Sequence, residues 1–577
     1  MSSRGRIAVA LAALSATLVL PAAACAHAYL IRTSPAASVT LNAPPTQVAL
    51  TFDEAVEPRF ALISVTDVNA HQEATASPRR SPANPDTLVV PIRKVAEGWY
   101  LVYWRAISVD GHPVQGAFTF AVGPNPGPPP QFQIPHISQT ATTTSLLVAR
   151  WGMFLTVMAA IGLFVLRMLI AHPLVRRVEE TTLRALTIAF VALSLLGLVA
   201  IPIYLEESAA IDSLRSFYAF GALVPLWRTT AFGRAYVDME LCFALFCGAA
   251  GIAVWLDRPE RPRRSVASML SLTGALAAAA AVLVLPGAGG HAAQTSPRGV
   301  TVMLDWLHLV SGSVWVGGLI GLLVLWRSLQ KPRRVVAGLM VCVPRFSNVA
   351  FVSVMLLLST GVGESVVHLP VLAALWQTSY GKVILIKAGI LLAAMLVASG
   401  NLLRTKPQLV AARERPDAGA PAARLLRRLV GVEVVLVAGA IFAAALLSSL
   451  APPPPAFAEE GRATAKVGPG RVAATVHQWG YTLKFLVDPN RAVAPNSFAL
   501  QITRNGQPVR GASVTLQFAM LDMQMPNQEY ELAETAPGIY TRKAPALVMV
   551  GHWGLSFTVT PKSAAPFTAL IVDHATG

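Results

Sequence analysis

The hydrophobic rhythm of the chain changes twice along its length. From residue 27 to about 122, apolar and polar positions alternate in short runs at Thr46 to Phe52, Ala61 to Val68, Thr87 to Ile92, Trp99 to Ile107 and Ala117 to Val122, with Pro, Asn, Asp and Gly between them. A period of two turns one face of each run toward a core, so this stretch predicts a small β-sandwich. Gly123 to Thr144 carries Pro124, Pro126, Pro128, Pro129, Pro130 and Pro135 and reads as a stiff linker. Eight apolar segments follow, near 145–170, 182–205, 231–256, 265–286, 302–326, 346–364, 381–401 and 429–450. Each is long enough to cross a hydrocarbon core about 30 Å thick as a helix. Pro452 to Pro455 break the last one, and alternation resumes with the turn signals Asn505-Gly506 and Pro537-Gly538, predicting a second β-sandwich. The expected divisions are 1–26, 27–122, 123–144, 145–450 and 451–577.

Composition agrees with a multidomain membrane protein: 54% of residues are hydrophobic, 13% are charged, and the mean hydropathy is +0.54. The net charge of +16 is spread over loops between apolar segments, which points to a lipid bilayer and away from nucleic acid. The first, third, fifth and seventh loops hold roughly 20 Lys and Arg, and the second, fourth and sixth about three, the positive-inside pattern with both termini outside a bacterial inner membrane. Arg4 and Arg6, the apolar run Ile7 to Leu20 and Ala24-Cys25-Ala26 read as a signal peptide cleaved to leave His27 first. Acylation of Cys25 is the rival, with Ala22 where a lipobox prefers Leu. Cys242 and Cys247 fall in an apolar run and Cys342 in an expected basic loop, so no disulfide framework is predicted. No phosphate-binding loop occurs, so any transport would be passive, gradient-coupled or partner-driven.

A histidine at the first position offers its α-amine and its ring Nδ1 to one metal ion. Ser108-Val109-Asp110-Gly111-His112-Pro113 adds a carboxylate and a second imidazole between two strands. Nitrogen and oxygen donors of this kind suit Cu(II), and the plainer alternative is a hairpin turn with His112 on its surface. These residues, with His27-Ala28-Tyr29-Leu30, Ser34-Pro35, Leu50-Thr51-Phe52, Tyr103-Trp104 and Gly116-Ala117-Phe118-Thr119-Phe120, resemble CopC, a family of periplasmic copper-binding β domains. The resemblance covers nearly all of 27–122 and implies an Ig-like, Greek-key sandwich with His27, Asp110 and His112 as Cu(II) ligands. Residues 27–144 contain no methionine, so the Cu(I) thioether site of some CopC members is not expected. His71 and His136 read as solvated.

Gly290-His291-Ala292, Asp305-Trp306-Leu307-His308, Trp315-Val316-Gly317-Gly318, Arg345-Phe346-Ser347, Thr360-Gly361, Thr378-Ser379-Tyr380-Gly381, Lys387 and Asn401 together resemble CopD, the inner-membrane partner of CopC, over most of 145–450. Asp305 and His308 are i,i+3 on the fifth segment, about two turns from its outer end, with Met303 close by. Ionisable groups at such depth usually face a cavity and a partner. His291 precedes this segment and Glu364 and His368 end the sixth, so His291, Met303, Asp305, His308 and His368 are candidates for an external metal entrance. The alternative is a structural pair with loop histidines. Asp238, Glu240, Lys387 and Glu433 read as interhelical ion pairs, and Cys242 and Cys247 as packing residues, with Cu(I) ligation on an inward path as the alternative.

In Met520-Leu521-Asp522-Met523-Gln524-Met525-Pro526, Met523 and Met525 would share a strand face, and thioethers suit Cu(I). The run is similar to the M-x-M-P stretch of YtkA-like domains, as are Pro537-Gly538-Ile539-Tyr540 and Gly551-His552-Trp553. Met520, Met523, Met525, His477 and His552 are therefore candidate ligands, with core packing of the methionines as the alternative. The CopC, CopD, YtkA order resembles the YcnJ type of copper-acquisition protein. It implies import of copper across the cytoplasmic membrane, with Cu(II) captured at His27 and copper conducted past His308. The alternative is an anchored periplasmic delivery scaffold serving copper resistance or oxidase assembly. A periplasmic copper chaperone or an outside reductant would be partners. A copper-oxygenase reading is disfavoured because Asp110 would fill coordination space that oxygen needs.

Overall fold

The computed structural model describes residues 30–576 except 53–55, 57, 108–112, 128–129, 131, 133–142, 261–263, 291, 293–296, 330–331, 370, 373, 412–415, 451–464, 479, 522–527, 549 and 563. His27, Asp110, His112, His291, Met523 and Met525 lie outside the described residues. The chain divides into a helical unit and a unit that holds both alternating regions.

Backbone groups in a hydrocarbon layer must bond within their own segment, which makes each apolar run a helix. The helices are α1 Thr144–Val165, prolonged by a π turn over Leu166–Ile170, α2 Arg184–Ser213, α3 Ala231–Leu256, α4 Val266–Ala288, α5 Arg298–Leu329, α6 Pro332–His368, α7 Ser379–Gly400 and α8 Pro416–Leu447. Among the described residues, these eight are long and apolar enough to cross a membrane. Thr143, Thr230 and Ser265 cap α1, α3 and α4 by accepting from the amides of Leu146, Gly233 and Ser268.

The basic loop expected around Cys342 is instead helix, and Cys342 is buried within α6. The physical reason is a helical stripe that continues inward past the uniformly apolar stretch: Val335, Leu339, Cys342, Val343 and Phe346 recur at spacings of three, four and one and are all buried.

The apolar cores of α1 and α5 are 72% and 61% buried, against 11–33% for the other six, so these two helices form the centre. They can approach because Gly162 and Gly317 face each other's helix. A Cβ on Gly162 would fall on the Ser313 carbonyl oxygen, and one on Gly317 would fall on the Leu163 amide. Arg150 of α1 donates through Nε to the Tyr204 hydroxyl (3.1 Å) and through Nη1 to the Ala445 carbonyl (3.1 Å), tying α2 and α8 to the centre. Past the other end of α1, Asp257 Oδ2 accepts from Arg167 Nη1 at 3.0 Å, and its Oδ1 lies 3.1 Å from His172 Nε2.

In the β unit, the first alternating region forms two four-stranded sheets. Its strands are β1 Leu30–Ser34, β2 Thr40–Leu41, β3 Gln47–Phe52, β4 Leu62–Thr66, β5 Arg79–Arg80, β6 Thr87–Pro91, β7 Gly98–Ile107 and β8 Pro113–Val122. The sheets run β1-β3-β6-β5 and β2-β8-β7-β4, enclosing Leu50, Phe52, Val90, Val102, Trp104 and Phe120. β7 is buried on both faces. Tyr100, Val102 and Trp104 fill this core, while Leu101 and Tyr103, with Ala117 of β8, join the hydrophobic core of the C-terminal region. Thr119 Oγ1 donates to the Val493 carbonyl at 2.9 Å across the same contact.

The C-terminal strands are β9 Ala465–Val467, β10 Val472–Gln478, β11 Tyr481–Asp488, β12 Asn496–Arg504, β13 Gln507–Pro508, β14 Ser513–Met520, β15 Gln528–Ala536, β16 Ile539–Ala544, β17 Gly551–Thr560 and β18 Phe567–Ala575. Nine of them form one continuous path, β10-β11-β12-β16-β15-β14-β17-β18-β9, with β13 paired to β12 beside it, and the path closes as a near-barrel where a sandwich was expected. β15 makes the difference. Its first half, to Leu532, pairs with β14, its second half, from Ala533, pairs with β16, and the register shifts between Glu534 and Ala536. One strand therefore belongs to both layers and carries the sheet around the corner.

The α1/α5 crossing predicts a sharp contrast between two glycines. Gly317→Ala, which meets backbone, should destabilise the detergent-solubilised protein by on the order of 1–3 kcal/mol. Gly248→Ala on α3 has open space around its Cβ and should leave the thermal midpoint unchanged. Fluorescence-detected thermal denaturation of both variants checks this, and equal midpoints would refute the backbone contact.

Candidate metal centre

Four helices meet at the residues that drew attention on α5. The His308 Nδ1 lies 3.0 Å from Thr360 Oγ1 of α6, and its Nε2 lies 3.4 Å from Lys387 Nζ of α7. The hydroxyl proton of Thr360 goes to the Leu356 carbonyl at 2.8 Å, so the hydroxyl oxygen accepts from Nδ1–H. His308 is then the Nδ1–H tautomer, and its Nε2 lone pair accepts from the Lys387 ammonium. Gly361 gives the ring room, since a Cβ there would sit 3.3 Å from Cε1.

Asp305, one turn before His308, lies against Gly287 near the end of α4, where a Cβ would meet its Oδ2. Trp306 Nε1 donates to the Ala280 carbonyl of α4 at 3.0 Å and fixes the rotation of α5 there. Glu364, one turn beyond Thr360 on α6, has a buried Oε1 with no hydrogen-bond partner among the described residues.

Other candidates fall elsewhere. Met303 is 42% exposed and lies two residues before Asp305, on a different helix face. The His368 ring donates from Nδ1 to the Glu364 carbonyl of its own helix at 2.8 Å. Glu433 accepts from the Asn401 amide rather than from a cation. Cys242 and Cys247 pack against the bundle core. Among the described residues, no group of three or more His, Cys, Asp or Glu is placed to hold a metal ion.

In the C-terminal region, Met520 is buried in the core opposite Trp553 and packs rather than presenting its sulfur. His477 of β10 is hydrogen-bonded through Nδ1 to Thr482 Oγ1 across its hairpin at 3.0 Å. His552 on β17 stands opposite His574 on β18, and their rings stack. Beside them, burial pushes the Asp573 carboxyl up to about 6, against the opposing effect of a hydrogen bond from Asn490 Nδ2 at 3.0 Å. The sequence reading missed His574 and Gly287. Counting strand register back from the Lys562 turn would have found the first; nothing in a helical glycine run singles out the second.

Comparison with known proteins follows the same division. Three family models match: CopC domain over residues 30–123, Copper resistance protein D over 340–447, and YtkA-like over 475–558. The second covers the greater part of α6, all of α7 and α8, and leaves Asp305 and His308 of α5 outside the matched stretch. The chain is 25% identical over 540 residues to the Copper transport protein CutJ of Bacillus subtilis, covering 92% of this chain and 93% of that protein. Its N-terminal region is 36% identical over 114 residues to Protein YobA of Escherichia coli, covering 20% of this chain and 91% of that protein. The crystal structure of CopC from Methylosinus trichosporium OB3b is similar at 32% identity, over 18% of this chain and 98% of that one, with a TM-score of 0.16. A CopC domain, a CopD-like apolar bundle and a YtkA-like domain in one polypeptide make this chain a CopC–CopD–YtkA fusion of the copper-handling families.

Proposed function

We propose that the chain is a membrane-anchored copper-binding and delivery protein, a carrier rather than an enzyme. Its CopC domain captures Cu(II) with the amine and ring of His27, the Asp110 carboxylate and the His112 imidazole, and the eight-helix bundle holds it at the cytoplasmic membrane with both termini on the periplasmic side. The observation that carries this reading is the Lys387 ammonium on the His308 Nε2 lone pair, the one lone pair of that ring a metal could take. An ammonium held at that nitrogen opposes entry of a second cation and accounts for Asp305, His308 and Glu364 as a structural charge cluster. Copper resistance or supply of an oxidase would draw on the captured ion through a periplasmic chaperone. Handover as Cu(I), to methionines such as Met523 and Met525, would require one electron from an outside reductant.

A second reading, import past His308, is favoured by the similarity to a copper transport protein over 92% of this chain. Radioactive copper uptake into right-side-out membrane vesicles separates the two. Under the delivery reading, vesicles with wild-type protein and with His308→Ala take up copper equally, at the level of vesicles without the protein. Uptake by wild type that is abolished by His308→Ala would overturn it in favour of import.

The capture site makes its own prediction. The mature chain should begin at His27 by intact mass, and His27→Ala and His112→Ala should each weaken Cu(II) binding by the full-length protein in a competition titration. A mature chain starting elsewhere, or unchanged binding in both variants, would remove the proposed ligand set.

A further inference from the structure

We propose that His552 and His574 form a second Cu(II) site, on the outer face of the C-terminal near-barrel. The two stand directly opposite in the antiparallel register of β17 and β18, with ring centroids 4.6 Å apart and ring planes within 15°. They point outward: their strand neighbours Trp553 and Asp573 are buried at 1% and 0%, while His552 is exposed and His574 half-buried.

In the stack the in-plane lone pairs of the two rings run parallel, so a shared ion requires the imidazoles to rotate out of it; with Cβ atoms about 4.5–5.5 Å apart, as directly opposed antiparallel residues have, the rotated rings can each bring one nitrogen to a common point about 2.0 Å away, the usual metal–imidazole distance. The frame is rigid, because nine consecutive residue pairs join β17 to β18 and eight join β17 to β14 on its other side. Paired strands fix the backbone of both ligands beforehand, which leaves the rotation of the two rings as the ordering that binding requires.

The donor chemistry selects the oxidation state. Imidazole nitrogen with water completing the shell suits Cu(II), whereas Cu(I) prefers sulfur, and the one described methionine of the 520–526 run, Met520, is turned into the core. The choice of copper among divalent ions rests on the delivery reading; the two-imidazole geometry does not. With a His27/Asp110/His112 site at one end and an imidazole pair at the other, both exported domains would hold copper in the same oxidation state, so transfer between them would need no reductant.

The test uses the full-length protein in detergent, stripped by chelator and titrated with copper(II) chloride against glycine as competitor, with bound Cu(II) counted by electron paramagnetic resonance. His552→Ala/His574→Ala should bind one equivalent fewer than wild type. His27→Ala/His112→Ala should retain that equivalent, with hyperfine splitting from two nitrogens. His552→Gln and His574→Gln, which keep a polar side chain on each strand, should each lose it too, and His477→Ala should not. Unchanged stoichiometry in the folded His552/His574 variants, judged by thermal midpoint, would overturn the inference while leaving the capture site intact. Loss in those variants with no loss in His27→Ala/His112→Ala would overturn the capture site and leave this one standing.

Discussion

The helical unit depends on one close approach, the glycine crossing of α1 and α5. In a bilayer, apolar side chains gain little by leaving lipid for another apolar surface, so helices hold together by close contact and by the few polar bonds they can make. Gly162 and Gly317 let two backbones touch, and Gly321 adds a niche for Leu166. The Trp315-Val316-Gly317-Gly318 segment, read in the sequence only as part of a family pattern, has this packing role. Gly318 receives the Phe346 ring of α6 by the same device. Because α5 is surrounded in this way, Asp305 and His308 can face other helices instead of lipid.

The polar bonds then follow the packing. Trp306 sets the rotation of α5 against α4, Thr360 and Gly361 present a hydroxyl and a gap from α6, and α7 brings Lys387. Each side chain has a direction of donation: ammonium to Nε2, Nδ1–H to hydroxyl, hydroxyl to carbonyl. At the other end of the bundle, the buried Asp257 carboxylate accepts from Arg167, and the His172 ring lies beside its second oxygen. Such clusters give the bundle a specific arrangement that apolar packing alone leaves loose.

What could be read from the sequence is what depends on local pattern. Eight uniform apolar runs gave eight helices, and period-two alternation gave two β-rich regions. The inner parts of α6 and α8 were hidden because charged and small residues interrupt the apolar run while a buried stripe continues beneath them, as Val335, Leu339 and Cys342 do. The near-barrel was hidden because it rests on β15 exchanging partners halfway along, a fact of register that alternation does not record. Asp305 and His308 stood out as ionisable residues in an apolar segment. That Lys387 closes on His308 could not be seen, since the two are 79 residues apart on helices whose rotation the sequence leaves open.

That contact also defines what a copper path through the bundle would demand. A metal ion can coordinate His308 only at Nε2, because Nδ1 carries the proton given to Thr360. Lys387 would have to leave first, and an ammonium at this depth needs another acceptor. Asp305, one turn from His308, and Glu364, one turn from Thr360, are the carboxylates of the same cluster, and Glu364 Oε1 has no hydrogen-bond partner among the described residues. Moving Lys387 onto Glu364 would satisfy that oxygen and free Nε2 together, yet it would also neutralise a carboxylate that an entering cation would use. Anchoring asks for no such exchange, since the cluster is already bonded from Lys387 through His308 to Thr360. The number of coupled movements separates the two roles, and the bonded arrangement of α5, α6 and α7 already satisfies the groups that a copper path would have to part.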